Sequence, residues 1–259
     1  MLGWLFRGLR QGRITTRYPR REELPPHGFR GHVEVLDMSN GPDDLIQLCP
    51  TDAIGVDDHG RVSLDRGRCI LCGECVLAAP DRFRFEAKYE TAARSRPALV
   101  VSDDDLPETE PTRESLGELA PALRRSIHVR HIDCGSDGTE EWEIQALWNP
   151  YYDIQRLGFF LTAAPRHADV LLVTGGVTPA MREPLERTWA VMPGPKALVA
   201  VGTDACSGGL AAGGGVIAGG VDLVLPADVY VPGSPPAPIA IMHGLLLAVG
   251  LLDAGEVAA

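Results

Sequence analysis

The sequence predicts an α/β protein in two parts, a small cysteine-bearing α+β unit followed by a larger unit on a parallel sheet. Three observations predict it. Cys69, Cys72 and Cys75 stand at x₂ spacing, with Cys49 and Pro50 upstream. Residues 103–118 carry seven acidic residues against one Arg, which marks a linker or exposed loop over 96–125. From about residue 126, apolar strand-like runs alternate with helix-like segments, as in a parallel sheet covered on both faces.

The first part opens with a basic arm over residues 1–30, which hold seven Arg against two Glu. In M-L-G-W-L-F-R-G-L-R, Leu2, Leu5, Phe6 and Leu9 fall at helical spacing, with Trp4 beside them and Arg7 and Arg10 to the side. Such a segment suits a membrane surface or a partner subunit, with contact expected through residues 1–20. The plainer alternative is a helix packed on its own domain. Residues 31–95 form the cysteine-bearing unit. Ile54–Val56 and Val62–Leu64 flank D-D-H-G and suggest a hairpin.

In the second part, over 126–259, strands are expected at Ile127–Ile132, Val170–Thr174, Ala197–Val201 and Leu223–Leu225. Helices are expected at Glu140–Leu147, Tyr151–Leu157, Pro179–Met192 and Ile239–Leu252. Ligands in this architecture sit beyond the carboxyl ends of the strands.

Composition narrows the classes. The chain has 259 residues, enough for two domains, with 45% hydrophobic and 23% charged residues. A net charge of −11 argues against nucleic acid as a partner. No apolar run reaches the roughly 18 residues of a membrane span, and no signal peptide is recognisable. Six Cys in this pattern point to metal binding in the cytoplasm rather than disulfides.

The C-I-L-C-G-E-C string from Cys69 to Cys75 supplies three thiolates from one short loop, and Cys49 supplies a fourth. That is the ligand pattern of a [4Fe–4S] cluster. A zinc site more often shows two separated C-x-x-C pairs. The segment resembles two-cluster bacterial ferredoxins with one cluster deleted. The positions expected for the other cluster hold Ser39, Pro42, Leu45 and Ala79. The resemblance implies a ferredoxin-like domain with one [4Fe–4S] cluster on Cys49, Cys69, Cys72 and Cys75.

The second part carries D-C-G-S from Asp133, E-I-Q-A-L from Glu143, N-P-Y-Y-D from Asn149, P-R-H-A-D from Pro165 and L-L-V-T-G ending at Gly175. Further on stand A-V-G from Ala200, S-G-G from Ser207 and D-V-Y-V-P-G from Asp228. These motifs resemble the cluster-bearing small subunit shared by membrane-bound (group 4) [NiFe] hydrogenases, formate hydrogenlyase and respiratory complex I. The start of the chain, with T-T-R-Y-P from Thr15, resembles the ferredoxin subunit of the same complexes. The resemblance implies a fusion of two neighbouring subunits, with a flavodoxin-like second domain. It also implies a large nickel- or quinone-site subunit and membrane subunits as partners, at the cytoplasmic face of the inner membrane.

In that family four Cys hold a proximal [4Fe–4S] cluster. The flanking motifs place Asp137, Glu140, Asp204 and Ser234 at those positions, and oxygen side chains do not suit a soft iron–sulfur cube. Three uses of the altered site stay open: a lost cluster with a refilled cavity, a hard-cation site, or a proton-handling group of carboxylates. Arg166 and His167 are the expected compensating charges, and with Glu143 they are candidates for proton transfer. The resulting expectation is a complex I-like or hydrogenase-like iron–sulfur subunit. Its terminal electron transfer is absent or rerouted, and ion or proton transport is the retained role. The alternatives are a soluble single-cluster carrier or redox sensor that docks through its α/β domain, and an oxidoreductase with an unusual cofactor.

Overall fold

The computed structural model describes residues 3–39, 43–102 and 126–252. In the N-terminal part, α1 (Gly3–Gln11) leads through an extended segment into β1 (His32–Val35) and α2 (Asp43–Leu48). These are followed by β2 (Ile54–Val56), β3 (Val62–Asp65), α3 (Glu74–Ala78), β4 (Phe83–Glu86) and β5 (Val100–Val101). β1 pairs antiparallel with β4, and β2–β3–β5 form a second antiparallel sheet. Val33, Val35, Ile54, Val62, Leu64 and Phe83 fill the small core between them. Strand alternation puts Val33 and Val35 inward and leaves His32 and Glu34 half-buried.

The second part is one parallel sheet. Its elements are β6 (Ile127–Asp133), α4 (Thr139–Ala146), β7 (Phe159–Leu161) and β8 (Val170–Thr174). Then come α5 (Pro179–Val191), β9 (Ala197–Val201), α6 (Gly202–Ser207), β10 (Val229–Val231) and α7 (Pro238–Ala248). The strand order is β10-β9-β8-β6-β7, all neighbours parallel. Renumbered within the domain this is 2-1-3-4-5, the flavodoxin-like order, which places the topological switch between β6 and β8. β8 and β9 are buried at every position because helices cover both faces. One face packs on α7, which is itself buried at all eleven positions. The other carries α5 through Leu185, with Trp189 beside it.

The two parts are packed together. Ala93 and Tyr230 exchange backbone hydrogen bonds of 2.9 and 2.8 Å, which caps the β10 edge. The Arg96 guanidinium grips both Asp65 oxygens at 2.8 and 2.6 Å and donates to the Cys206 carbonyl at 3.1 Å. The arm is also engaged. Tyr18 is buried in the core of the second part, and Thr16 N–H donates to the Tyr151 carbonyl at 2.8 Å. T-T-R-Y-P therefore lies against N-P-Y-Y-D, so the second half of the arm packs on its own protein.

Several expected boundaries move. Residues 96–101, expected to begin the linker, belong to the first part: Pro97–Leu99 make a 3-10 turn and β5 pairs with β3. The acidic stretch 103–125 lies outside the described residues. Tyr151–Leu157 is not a helix; only a 3-10 turn over Ile154–Leu157 forms. Leu223–Leu225 is not the third strand. Val221–Leu223 makes a 3-10 turn with Leu223 exposed, and the strand is Val229–Val231. The Leu223–Leu225 run is only three residues long and stops at Pro226, which lacks the N–H that a continuing ladder needs.

Candidate iron–sulfur site and the acidic site of the second part

The loop after β3 and the turn before β2 bring four cysteines to one small apolar cavity. Cys49, Cys69, Cys72 and Cys75 line it together with Val33, Ile54 and Leu64. The backbone is shaped for this. Leu71 and Gly73 both take left-handed conformations, φ 57° and 89°, so the chain coils tightly between the thiols. A Cβ at Gly73 would press on the Phe85 ring at 3.2 Å. Arg30 braces the loop from outside, donating to the Leu71 and Cys72 carbonyls at 3.1 and 3.2 Å while lying 4.7 Å over Phe85.

The donor set suits a cubane. The Ala53 N–H donates to Cys49 Sγ at 3.3 Å, and the Leu71 and Val76 amides donate to Cys69 and Cys75. Such bonds favour thiolate. Burial pushes the Cys69 thiol up to about 12, and the charges of Cys75, Cys49 and Cys72 add to that push. Four crowded thiolates need a cationic core to be stable, which an iron–sulfur cluster provides. Cys72 is exposed and the other three are half-buried, so one edge of the site opens to solvent. Cys134 and Cys206 are buried elsewhere, each raised to about 12 by burial first, and behave as small core residues.

The positions expected for a second ferredoxin cluster are filled. The Ser39 hydroxyl donates to Asp37 at 2.9 Å and accepts from Arg82 at 3.2 Å. Leu45 and Ala79 pack into the small core. Pro42 lies outside the described residues.

At the carboxyl end of the parallel sheet, Asp137, Glu140, Asp204 and Ser234 lie on the segments that follow β6, β9 and β10. Asp137 precedes α4, Glu140 lies in its first turn, Asp204 lies on α6 and Ser234 follows β10. Glu140 is only 2% exposed, and its carboxylate sits so tightly on Gly202 that a Cβ there would clash. The three acids act on one another. Burial pushes Glu140 up to about 7, against a bond from its own N–H, with Asp204 and Asp137 pushing further. Asp204 is raised by burial and then by Asp137. Asp137 goes the other way, because the Thr139 hydroxyl and N–H donate to it at 2.6 and 3.0 Å. The arrangement favours the ionised form of Asp137 and the protonated form of Glu140.

Among the described residues, no three of His, Cys, Asp or Glu converge tightly enough to share one metal ion. The hard-cation reading therefore gains no support from the carboxylates. The four thiols are likewise not placed to share a single ion, whereas a cubane binds each thiolate at a separate iron. Ser234 is exposed.

Arg166 and His167 are not the compensating charges. They form an exposed 3-10 turn at the amino end of β8, the opposite end of the strands from the acids. Parallel strands fix this: a residue leading into β8 cannot reach the loops that leave β6 and β9. Glu143 is half-buried on α4, with its carboxyl raised by burial. It lines a groove with Leu71, Lys88, Tyr89, Tyr152 and Pro235, between the cysteine loop and the second part.

The sequence did not reveal three features. The Thr203 hydroxyl donates to the Cys69 carbonyl at 3.0 Å, tying α6 beside Asp204 to the cysteine loop. Glu141 is the acid with the fuller set of polar neighbours: Thr174 and Ser136 hydroxyls donate to it at 2.5 and 2.8 Å, and His131 stands 3.5 Å away, whereas among the described residues Glu140 has only the Thr139 hydroxyl at 3.2 Å besides its own N–H. The third is the Arg96–Asp65 clasp. No local spacing signals contacts between residues over a hundred positions apart, or pairs thirty apart that a loop brings together.

The fold and the site together define a class: a small domain with four clustered cysteines joined to a flavodoxin-like parallel sheet. Residues 137–248 match the NADH ubiquinone oxidoreductase 20 kDa subunit family, and residues 62–114 match the 4Fe-4S single cluster domain. Formate hydrogenlyase subunit 7 of Escherichia coli is 42% identical over 135 residues, 52% of this chain and 53% of that protein. The Pyrococcus furiosus protein named probable membrane-bound hydrogenase subunit mbhJ is 38% identical over 133 residues, 51% of this chain and 80% of that protein. A chain in the structure of the membrane-bound sulfane sulfur reductase, an archaeal respiratory membrane complex, is 29% identical with a TM-score of 0.45, over 52% of this chain and 75% of that one. The chain belongs to the NADH ubiquinone oxidoreductase 20 kDa subunit family. The match spans about half the length of the E. coli relative. Among the described residues no helix is long and apolar enough to cross a membrane.

Proposed function

We propose that this chain is the iron–sulfur subunit of a membrane-associated, complex I-like or group 4 hydrogenase-like assembly. It carries one [4Fe–4S] cluster, on Cys49, Cys69, Cys72 and Cys75, and none in its α/β domain. The observation that supports this is the contrast between two sets of side chains. One gathers four thiols in an apolar cavity. The other, where the family's proximal cluster would lie, presents Asp137, Glu140, Asp204 and Ser234.

When bound, the cluster supplies one-electron storage and transfer. The chain's own residues do the rest. The four thiolates hold it, Val33, Ile54 and Leu64 keep water from its inner side, and Arg30 and Thr203 fix the loop. Cys72 marks the exposed edge at which a redox partner can approach. Beyond that point the relay lacks thiolates, so terminal electron transfer stops or takes another route. Glu140 instead holds a proton near neutrality, beside an ionised Asp137. This supports ion or proton movement as the retained role, with large and membrane subunits as partners at the cytoplasmic face of the inner membrane.

The test is purification from detergent-solubilised membranes with iron analysis and spectroscopy. The expected result is co-purification with further subunits, four irons per chain and one cubane signal. Eight irons, or a pair of coupled cubanes, overturns the single-cluster assignment. A partner-free monomer that exchanges electrons with a soluble reductase replaces the proposal with a soluble carrier.

A further inference from the structure

A charged cavity lies between the N-terminal arm and the second domain. It has a volume of about 400 Å³, and Arg13, Arg17, Arg20, Arg21, Arg156 and Leu157 line it. Five guanidiniums and no carboxylate face one concavity. In a chain of net charge −11, such a concentration is a specific local feature.

The nearby acids are engaged or weakly placed. Glu23 accepts from the Thr16 and Tyr151 hydroxyls, both at 2.5 Å. Asp153 is the acid whose charge favours the Arg156 cation, and Glu22 is exposed on the arm. No ion pair involves Arg13, Arg17, Arg20 or Arg21 among the described residues. Arg156 is half-buried. It donates from Nη2 to the Tyr18 carbonyl, while its Nε is buried without a partner. Burial first, and then the like charges of Arg13 and Arg20, depress its pKa. Holding these cations together is unfavourable without an anion. Guanidinium forks match phosphate oxygens bidentately.

The occupant's source is indicated by what adjoins the cavity. α1 leads directly into Arg13, and it exposes Phe6 at 66% and Leu9 at 73%, with Arg7 and Arg10 beside them. Ile14 continues the exposed apolar surface to the cavity rim. Apolar side chains that gain by entering acyl chains, next to guanidiniums that gain by binding phosphate, match a lipid interface. We propose that the five-arginine cavity receives the phosphate headgroup of an acidic phospholipid, with α1 lying in the interface beside it. This builds on the membrane association in the proposed function, and it names the ligand and the residues that bind it.

The experiment is flotation of the full cluster-loaded chain with phosphatidylcholine vesicles, with and without phosphatidylglycerol. Wild type is expected to float only with phosphatidylglycerol. Arg17→Ala/Arg20→Ala should weaken binding about thirtyfold. Arg13→Ala/Arg21→Ala should do likewise, and it guards against one pair simply failing to fold. Cluster absorbance serves as the folding check. Arg182→Ala/Arg187→Ala removes the same charge from α5, where both groups pair with glutamates, and should bind like wild type. Phe6→Ser/Leu9→Ser should lower vesicle binding without changing the discrimination between the two lipids.

The proposal is overturned if wild type ignores phosphatidylglycerol, if both cavity pairs float like wild type, or if the α5 control loses as much. It is also overturned if inorganic phosphate binds the cavity while vesicles do not, or if the cavity proves to be covered by an acidic partner protein. Subunit co-purification and iron content test the proposed function separately, so either can fail alone.

Discussion

Replacing Glu140 with Gln tests whether the altered site stores a proton. Glu140 is 2% exposed and its carboxyl is raised from 4.5 to about 7 by burial, Asp204 and Asp137. The folded chain therefore keeps a proton that the unfolded chain releases near pH 4.5. Stability is lost as pH rises from that value to about 7, and stays lost above it. A shift of this size at about 1.4 kcal/mol per unit costs on the order of 3 kcal/mol at pH 8, and less than 1 kcal/mol at pH 5. Glu140→Gln keeps the shape and removes the charge. Relative to wild type it should gain roughly 2–3 kcal/mol between pH 5 and pH 8. Denaturant unfolding of the two proteins at both pH values measures the difference. Infrared spectroscopy should show a protonated-carboxyl band near neutral pH that Glu140→Gln lacks. Equal pH dependence in the two proteins, with no missing band, would refute the reasoning and leave Glu140 an ordinary ionised acid.

Other perturbations separate the remaining features. Cys49→Ser or Cys75→Ser should abolish the cluster absorbance and leave little bound iron, whereas Cys134→Ser should keep a full iron complement on analysis. Arg96→Ala removes three hydrogen bonds across the junction of the two parts, so unfolding should become about 2–4 kcal/mol easier, and iron release in mild denaturant faster. His243 is buried on α7 with its pKa lowered from 6.5 to about 4 by burial, then by Lys88. Its folded state binds fewer protons between those values, so the chain loses stability as pH falls through that window. His243→Leu should be about 2 kcal/mol less acid-sensitive at pH 5, read from the pH dependence of the unfolding midpoint.

Much of the fold was legible because it rests on local pattern. The runs Val170–Thr174 and Ala197–Val201 are apolar at every position, and they form buried strands with those boundaries. The cysteine spacing indicated that Cys69, Cys72 and Cys75 would sit together, because one short loop carries all three, and they line one cavity with Cys49. Shorter strands escaped. Phe159–Leu161 and Val229–Val231 are three residues each, too short for periodicity to distinguish strand from loop. The flanking motifs pointed to Asp137, Glu140 and Asp204, which lie close enough in the fold to act on one another electrostatically. The choice of Arg166 and His167 as counter-charges failed because proximity in sequence to a buried strand says nothing about which end of it a residue occupies. That distinction appears only once strand direction in the sheet is known.

Tyr18 gives the molecule an unusual dependence between its ends. Its ring is made early in synthesis, yet the walls that enclose it come from Ile127 through Val249. A fragment beginning at residue 126 would carry an aromatic-sized gap where that ring belongs, and a fragment ending before it would present the ring to water. The halves are therefore not interchangeable cassettes. Any exchange of the front module between related chains must bring a ring that fits the recipient's rear module.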